Sequence, residues 1–374
     1  MQRLRSQPRP NWQKTVESQG LSYHTPDGNT YWDESAYYQF GSAEIDAIEK
    51  ATYALNDMCL AAVQRVIDEN LFPRFSIPPQ VAQYIARSWD RDELTIYGRF
   101  DLAFDGHRPP KLLEYNADTP TSLLEAAVIQ WHWMKDLFSR ADQFNSIHER
   151  LIEAWGIAAK TMPGPMYFTS LSGHMEDYMT VTYLRDTAIQ GGLRTEYIPV
   201  ERIGWNWERN MFVDEQEQHI ANCFKLYPWE WLLIEPFGPQ LLLDNTRWLE
   251  APWKMLLSNK AILTVLYEMF PQSPYLLPAS MEPLPAGDFV RKPMLGREGA
   301  NVQTVVNGNV TLETEGDYGG PFVYQKLQPL PNFDGNYPVI GSWLVNGNAC
   351  GIGIREDVSP VTQNLSRFVP HMFG

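Results

Sequence analysis

The apolar positions of this chain change period several times, and each change marks an element. Between residues 42 and 71, Ile45, Ile48, Leu55, Cys59, Val63 and Val66 recur at helical spacing, and Ser42 stands where a cap belongs. Pro73 and the Pro78-Pro79 pair close that region. Residues 96–116 alternate instead. Phe100, Leu102 and Phe104 share one face of a strand while Arg99 and Asp101 share the other, which predicts a β-hairpin. Helical spacing returns over 120–138, through Leu123, Leu124, Ala127, Val128, Trp131 and Met134, and again over 143–160. Asp118 or Thr119 would cap the first of these helices, with Pro120 in its first turn.

Met162-Pro163-Gly164-Pro165 interrupts the pattern. A strand over 166–169, a helix over 174–190 ended by Gly191-Gly192, and a strand over 195–199 follow. Strand, helix and strand in that order predict a small α/β lobe with a parallel pair. From Phe289 onward short strands alternate with the turns Asn307-Gly308 and Asn346-Gly347. Asn-Gly suits a two-residue hairpin turn because both of its residues adopt positive φ, so the C-terminal third should be mainly antiparallel. The predicted fold class is α+β with an accompanying α/β lobe.

At 374 residues the chain exceeds what one core usually serves, so at least two lobes are expected. Its 44% hydrophobic and 20% charged content is that of a globular protein and excludes disorder. A net charge of -15 without any Lys/Arg run argues against nucleic acid and suits a polycationic substrate. Cys59, Cys223 and Cys350 lie far apart, which argues against a disulfide framework or a zinc ribbon and favours a cytoplasmic location. Neither a signal peptide nor an apolar run of the ~18–20 residues a membrane span requires is expected.

The candidate chemistry begins in the hairpin. Closing it symmetrically about residues 105–110 sets Asp101 opposite Glu114 and Arg99 opposite Asn116. Opposed carboxylates repel, and a divalent cation between them would remove the conflict, since Mg²⁺ takes such oxygen ligands. Otherwise these charges meet only water. The turn after the hairpin adds the hydroxyls of Thr119, Thr121 and Ser122 near a helix start, where an anion could sit. A second segment, Asp288 to Val302, delivers Arg291 and Lys292 on a strand, followed by a glycine-bearing loop with Arg297 and Glu298. Lysine at a strand end can bridge ATP phosphates, although no Walker A motif is present. Gln325 lies on a further strand and Arg355 at a strand end.

In combination, Arg99-Phe-Asp101, Glu114-Tyr-Asn116-Ala-Asp118, Lys292-Pro and Arg297-Glu-Gly-Ala-Asn301 resemble the glutathionylspermidine synthase family, over almost the whole chain. The stretches Phe224 to Glu230 and Leu257 to Ala261 match as well. The resemblance implies a circularly permuted ATP-grasp fold. Its approximate lobes are 1–160 with the metal hairpin, 161–250 as the α/β substrate lobe, and 251–374 for ATP. It implies an ATP-dependent ligase forming an amide through an acyl phosphate. Asp101, Glu114 and Asn116 would hold two Mg²⁺ ions, and Lys260, Lys292 and Gln325 would hold ATP. Arg99 would meet the transferred phosphoryl group and the acyl carboxylate, Arg297 would sit in a lid over 295–300, and Arg355 would face the reacting groups. Thr119 and Thr121 would position the acid, a peptide such as glutathione. Glu176 and Asp177 would receive a polyamine-like amine. Glu298 departs from the cysteine or small residue of the family loop, which leaves the acid open. The alternatives are a non-catalytic ATP or peptide sensor on the same fold and a metal-dependent hydrolase.

Overall fold

The computed structural model describes residues 1–285 and 287–374. Its central sheet is antiparallel, in the order Arg367–Val369, Asn348–Asp357, Tyr337–Val345, Tyr97–Ala103, Lys111–Asn116. The early hairpin is thus zipped onto strands from the C-terminal end of the chain. Strand alternation divides its side chains between two cores. Phe100 and Leu102 face the helix Ser42–Asp68, whose Ile48, Leu55, Cys59, Val63 and Val66 are fully buried with them. Tyr97 points the opposite way, into a core with Trp133, Trp155 and Trp343. Each such side chain contributes about 1.5–3 kcal/mol on burial, enough to hold the register. Arg99 and Asp101 continue the Tyr97 face beyond that core, into a cleft.

Ser42 is the first helical residue rather than the cap. Gly41 precedes it, and the Glu44 carboxylate accepts the Gly41 N–H at 2.9 Å. The predicted start of the 120–138 helix is also displaced. The chain reaches helical geometry only at Leu123, passes through a π-turn at Glu125–Ile129 and continues as Gln130–Leu137. Asp118 and Thr119 cap nothing there, because their side chains bond Lys225 and Arg297 instead. The helix expected over 143–160 spans Ile147–Thr161.

The middle of the chain carries the predicted parallel pair, Met166–Ser170 with Thr195–Tyr197, flanking the helix Met175–Gln190. Its sheet is larger than expected, since Asn222–Leu226 and Arg247–Leu249 add to the other side of Met166–Ser170, all parallel. Strand order therefore reverses between Met166–Ser170 and Asn222–Leu226, and open parallel sheets bind ligands beyond the carboxyl ends at such a point. A third sheet, antiparallel, runs Ala279–Ser280, Phe322–Lys326, Phe289–Pro293, Gln303–Val306, Asn309–Glu313. Both Asn-Gly turns form as expected, with Asn307 and Gly308 at φ 51° and 76°, and Asn346 and Gly347 at 46° and 74°.

Candidate active site

The central sheet, the third sheet and the carboxyl end of the parallel sheet enclose a cavity of about 450 Å³. Of the candidate residues read from the sequence, Ser122, Glu176 and Arg291 are missing from its lining, while the hairpin triad, Arg99, Thr119, Thr121, Asp177, Lys260, Lys292, Arg297, Gln325 and Arg355 are in it. The hairpin register is the expected one at the charged positions, with Asp101 opposite Glu114 and Arg99 opposite Asn116. A bulge follows at once, so Leu102 pairs with Leu112 rather than Leu113. The Asn116 amide lies between the two carboxylates, 3.0 Å from Asp101 Oδ2 and 3.2 Å from Glu114 Oε1. In this arrangement its NH₂ donates to both. A cation at the same point requires the amide turned over, bringing Oδ1 inward to give three oxygen ligands of the kind Mg²⁺ accepts. Among the described residues no three His, Cys, Asp or Glu side chains converge as a metal site, so a cation held here would draw on the amide beside the two carboxylates.

Two lysines from the third sheet's side of the cavity face these carboxylates. Lys260 Nζ is 3.1 Å from Glu114 Oε2 and donates to the Gly296 carbonyl at 2.6 Å. Lys292 Nζ donates to Gln325 Oε1 at 2.8 Å and to the Leu113 carbonyl at 3.0 Å. Burial raises the Glu114 carboxyl, but the Lys260 and Lys292 ammonium groups outweigh it and hold the carboxyl down at about 2. Burial brings Lys292 down to about 8, against the opposing pull of Glu114. A cavity with cations on one wall and oxygen ligands on the other suits a polyphosphate with its metal.

The segment between hairpin and helix is held from three directions. Arg99 forks onto Asp101, with Nε to Oδ1 at 2.7 Å and Nη2 to Oδ2 at 3.2 Å, and its Nη1 donates to the Thr121 carbonyl at 2.8 Å. Arg297, on the glycine-bearing loop, donates to Thr119 Oγ1 at 2.7 Å and to Glu230 Oε1 at 2.6 Å. Arg355 donates to Ser122 Oγ at 3.2 Å. Thr121 therefore meets its arginine through its main chain, whereas Thr119 uses its hydroxyl. The loop itself lies against residues 361–362. Gly299 has φ +68°, and a Cβ there would sit 2.4 Å from the Thr362 carbonyl oxygen, so only glycine permits this closure.

Asp177, in the first turn of Met175–Gln190, lines the far end of the cavity with Pro228 and Trp231, at the strand-order reversal. Burial, and then the neighbouring Glu176, raises its carboxyl to about 6. Glu176 stands beside it with a buried, unpartnered Oε1. The three cysteines are buried and free, and burial pushes their thiols up, so none is placed as a nucleophile.

Several residues escaped the sequence reading. The fully buried Lys225 reaches Asp118 Oδ1 at 2.6 Å, and the Trp229 N–H donates to Asp118 Oδ2 at 3.0 Å. Glu230 anchors Arg297. Both Lys225 and Glu230 lie in the stretch from Phe224 to Glu230, noticed only as a match. Their partners are remote in sequence, and no periodicity links them.

Comparison with known proteins gives the family. The family model for the glutathionylspermidine synthase preATP-grasp region matches residues 3–374. A Haemophilus influenzae protein provisionally named an acid–amine ligase is 42% identical, over 98% of this chain and 97% of its own length. The trypanothione synthetase of Crithidia fasciculata is 30% identical over 82% of this chain and 52% of its own. The bifunctional glutathionylspermidine synthetase/amidase of Escherichia coli is 27% identical over 90% and 59%. The chain thus spans only about half to three-fifths of those two longer relatives. A solved structure from Methylobacillus flagellatus, provisionally named a gamma-glutamylcysteine synthetase, is 12% identical with a TM-score of 0.47, covering 83% of this chain and 86% of its own, too distant to carry an argument. No helix among the described residues is long and apolar enough to cross a membrane. By the whole-length family match and by the 42% identical relative, this chain belongs to the glutathionylspermidine synthase family.

Proposed function

We propose that this chain is a cytoplasmic, ATP- and Mg²⁺-dependent ligase that joins a carboxylic acid to an amine through an acyl phosphate, on a circularly permuted ATP-grasp fold. The observation that carries the reading is the meeting, in one cavity, of two carboxylates and an amide on the hairpin with Lys260 and Lys292 opposite. The ligase and synthetase relatives support the reaction class.

Lys260, Lys292 and Gln325 hold the nucleotide. Asp101, Glu114 and Asn116 are the residues that would hold two Mg²⁺ ions, whose part when bound is to neutralise charge on the transferred phosphoryl group. The acid, a peptide such as glutathione, lies along Thr119 and Thr121. Its carboxylate oxygen forms a bond to the γ-phosphorus as the bond to ADP breaks. Arg99 makes three hydrogen bonds within the protein and keeps two N–H groups for the oxygens in flight. The amine then adds to the acyl carbon through its lone pair, loses a proton, and phosphate leaves with the C–O bonding pair. Arg99 and Arg355 stabilise the oxyanion of that step. Asp177 and Glu176 supply negative charge for further ammonium groups of a polyamine-like substrate. The 295–300 loop excludes water from the acyl phosphate.

The test is ADP release with Mg²⁺ and ATP, screened with peptides bearing free carboxylates crossed with polyamines. ADP release that requires an acid and an amine together is the expected result. Nucleotide binding without turnover across the panel would favour a sensor, and product formed without ATP would favour a hydrolase.

A further inference from the structure

Four residues outside Gly, Asn and Asp adopt left-handed backbone geometry among the described residues: Ser76, Ser122, Glu217 and Glu298. Ser76, Glu217 and Glu298 are exposed, while Ser122, at φ 63°, is buried. An L-residue held there is strained by its own Cβ against the following carbonyl whether buried or exposed, and in the interior such strain persists where the surroundings over-determine it. The surroundings here are specific. The Ser122 carbonyl accepts the Ala126 N–H at 3.3 Å, opening the helix that passes at once into its π-turn. The Ser122 hydroxyl lies 2.8 Å from Tyr31 Oη and accepts from Arg355 Nη1 at 3.2 Å.

Arg355 is otherwise tied to one loop. Its Nε donates to the Ser366 carbonyl at 2.8 Å, and its Nη2 donates to the carbonyls of Gln363 at 2.9 Å and Asn364 at 2.7 Å. Four of its N–H groups are thus engaged, and the remaining one belongs to Nη1, the nitrogen held by Ser122. Arg355 and Ser122 also border a small enclosed space shared with Arg99 and Asp101. The preceding residue holds the other arginine of that space, through the Thr121 carbonyl and Arg99 Nη1. Consecutive residues therefore index two guanidinium groups, and the left-handed turn at the second directs its hydroxyl to Arg355 while its neighbour's carbonyl meets Arg99.

We infer that Ser122 is a positioning residue: its strained conformation and hydroxyl fix Arg355 beside Arg99, so that both guanidiniums meet the phosphoryl group being transferred. The inference rests on the ligase reading. It explains why a left-handed site carries serine rather than glycine, which would relieve the strain but remove the link.

The experiment uses the full chain with MgADP and orthovanadate, a mimic of the phosphoryl group in transfer, measured by calorimetry. Ser122→Gly is expected to melt no lower than the wild type and to keep its MgADP affinity within about twofold. Its affinity for vanadate in the presence of MgADP should fall at least about tenfold, as should that of Ser122→Ala, which keeps the strain. Arg355→Ala should lose vanadate comparably, and adding Ser122→Gly to it should change nothing further, because the serine acts through the arginine. Vanadate binding retained in Ser122→Gly, losses that add in the double variant, or a wild type that binds MgADP but not vanadate would overturn the inference alone. A wild type that binds no MgADP would remove the ligase reading and the inference with it.

Discussion

Asp118 and Lys225 form a fully buried pair under the segment that holds all three cleft arginines, and breaking the pair should be costly. In Lys225→Met the aliphatic stem keeps its packing, but the Asp118 carboxylate retains only the Trp229 N–H at 3.0 Å. A buried carboxylate so exposed to low dielectric escapes by taking up a proton. At pH 7 that costs about 1.36 kcal/mol for each unit between an ordinary carboxyl near 3.9 and the solution, or about 4 kcal/mol. The figure agrees with the ~3–5 kcal/mol typical of breaking a buried pair by removing one partner. The sign with pH follows. The folded variant binds a proton that the unfolded chain at pH 7 does not, so the variant is least impaired in acid and loses stability as pH rises. At pH 5 the same reasoning leaves about 1.5 kcal/mol. Urea unfolding at both pH values, followed by the fluorescence of tryptophans such as the adjacent Trp229, measures each figure. Lys225→Met with Asp118→Asn should recover most of the loss at pH 7, because the remaining amide carries no charge. A loss below about 1 kcal/mol at pH 7, or one that does not shrink at pH 5, would refute the argument.

Asp101→Asn and Glu114→Gln are each expected to abolish amine-dependent ADP release while the protein still melts cooperatively; full turnover in either would remove the metal assignment. Asp177→Asn should stabilise the protein at pH 7 by roughly 1–2 kcal/mol, discounting for its partial exposure. The raised Asp177 carboxyl binds its proton in the folded chain up to about 6, so wild-type stability should fall between pH 4 and 6 more steeply than that of the variant, in matched melting curves. Gly299→Ala forces a Cβ against the Thr362 carbonyl and should lift the loop, so that ADP outruns amide product; a one-to-one ratio would show that this contact does not seal the site.

Much of this architecture is local and therefore legible in the chain. Period-2 and period-3.6 patterns located the hairpin, the long helix and the parallel pair, since backbone geometry alone decides which side chains share a face. The charged register of the hairpin followed from its loop length, because bulging begins only after Asp101 and leaves the pairs at 99 and 101 in place. Asn-Gly turns declared themselves through their positive φ. What the sequence left open is every contact chosen by burial across a long separation. Asp118 reads as a helix cap until Lys225, 107 positions away, claims it in the interior, where an unpaired charge cannot remain. The helix start moved to Leu123 for that reason, and with it the roles of Thr119, Thr121 and Ser122. Sequence determined which side chains each strand offered; the tertiary structure alone decided which arginine each offered oxygen would hold, because that choice depends on which distant segments are buried against one another.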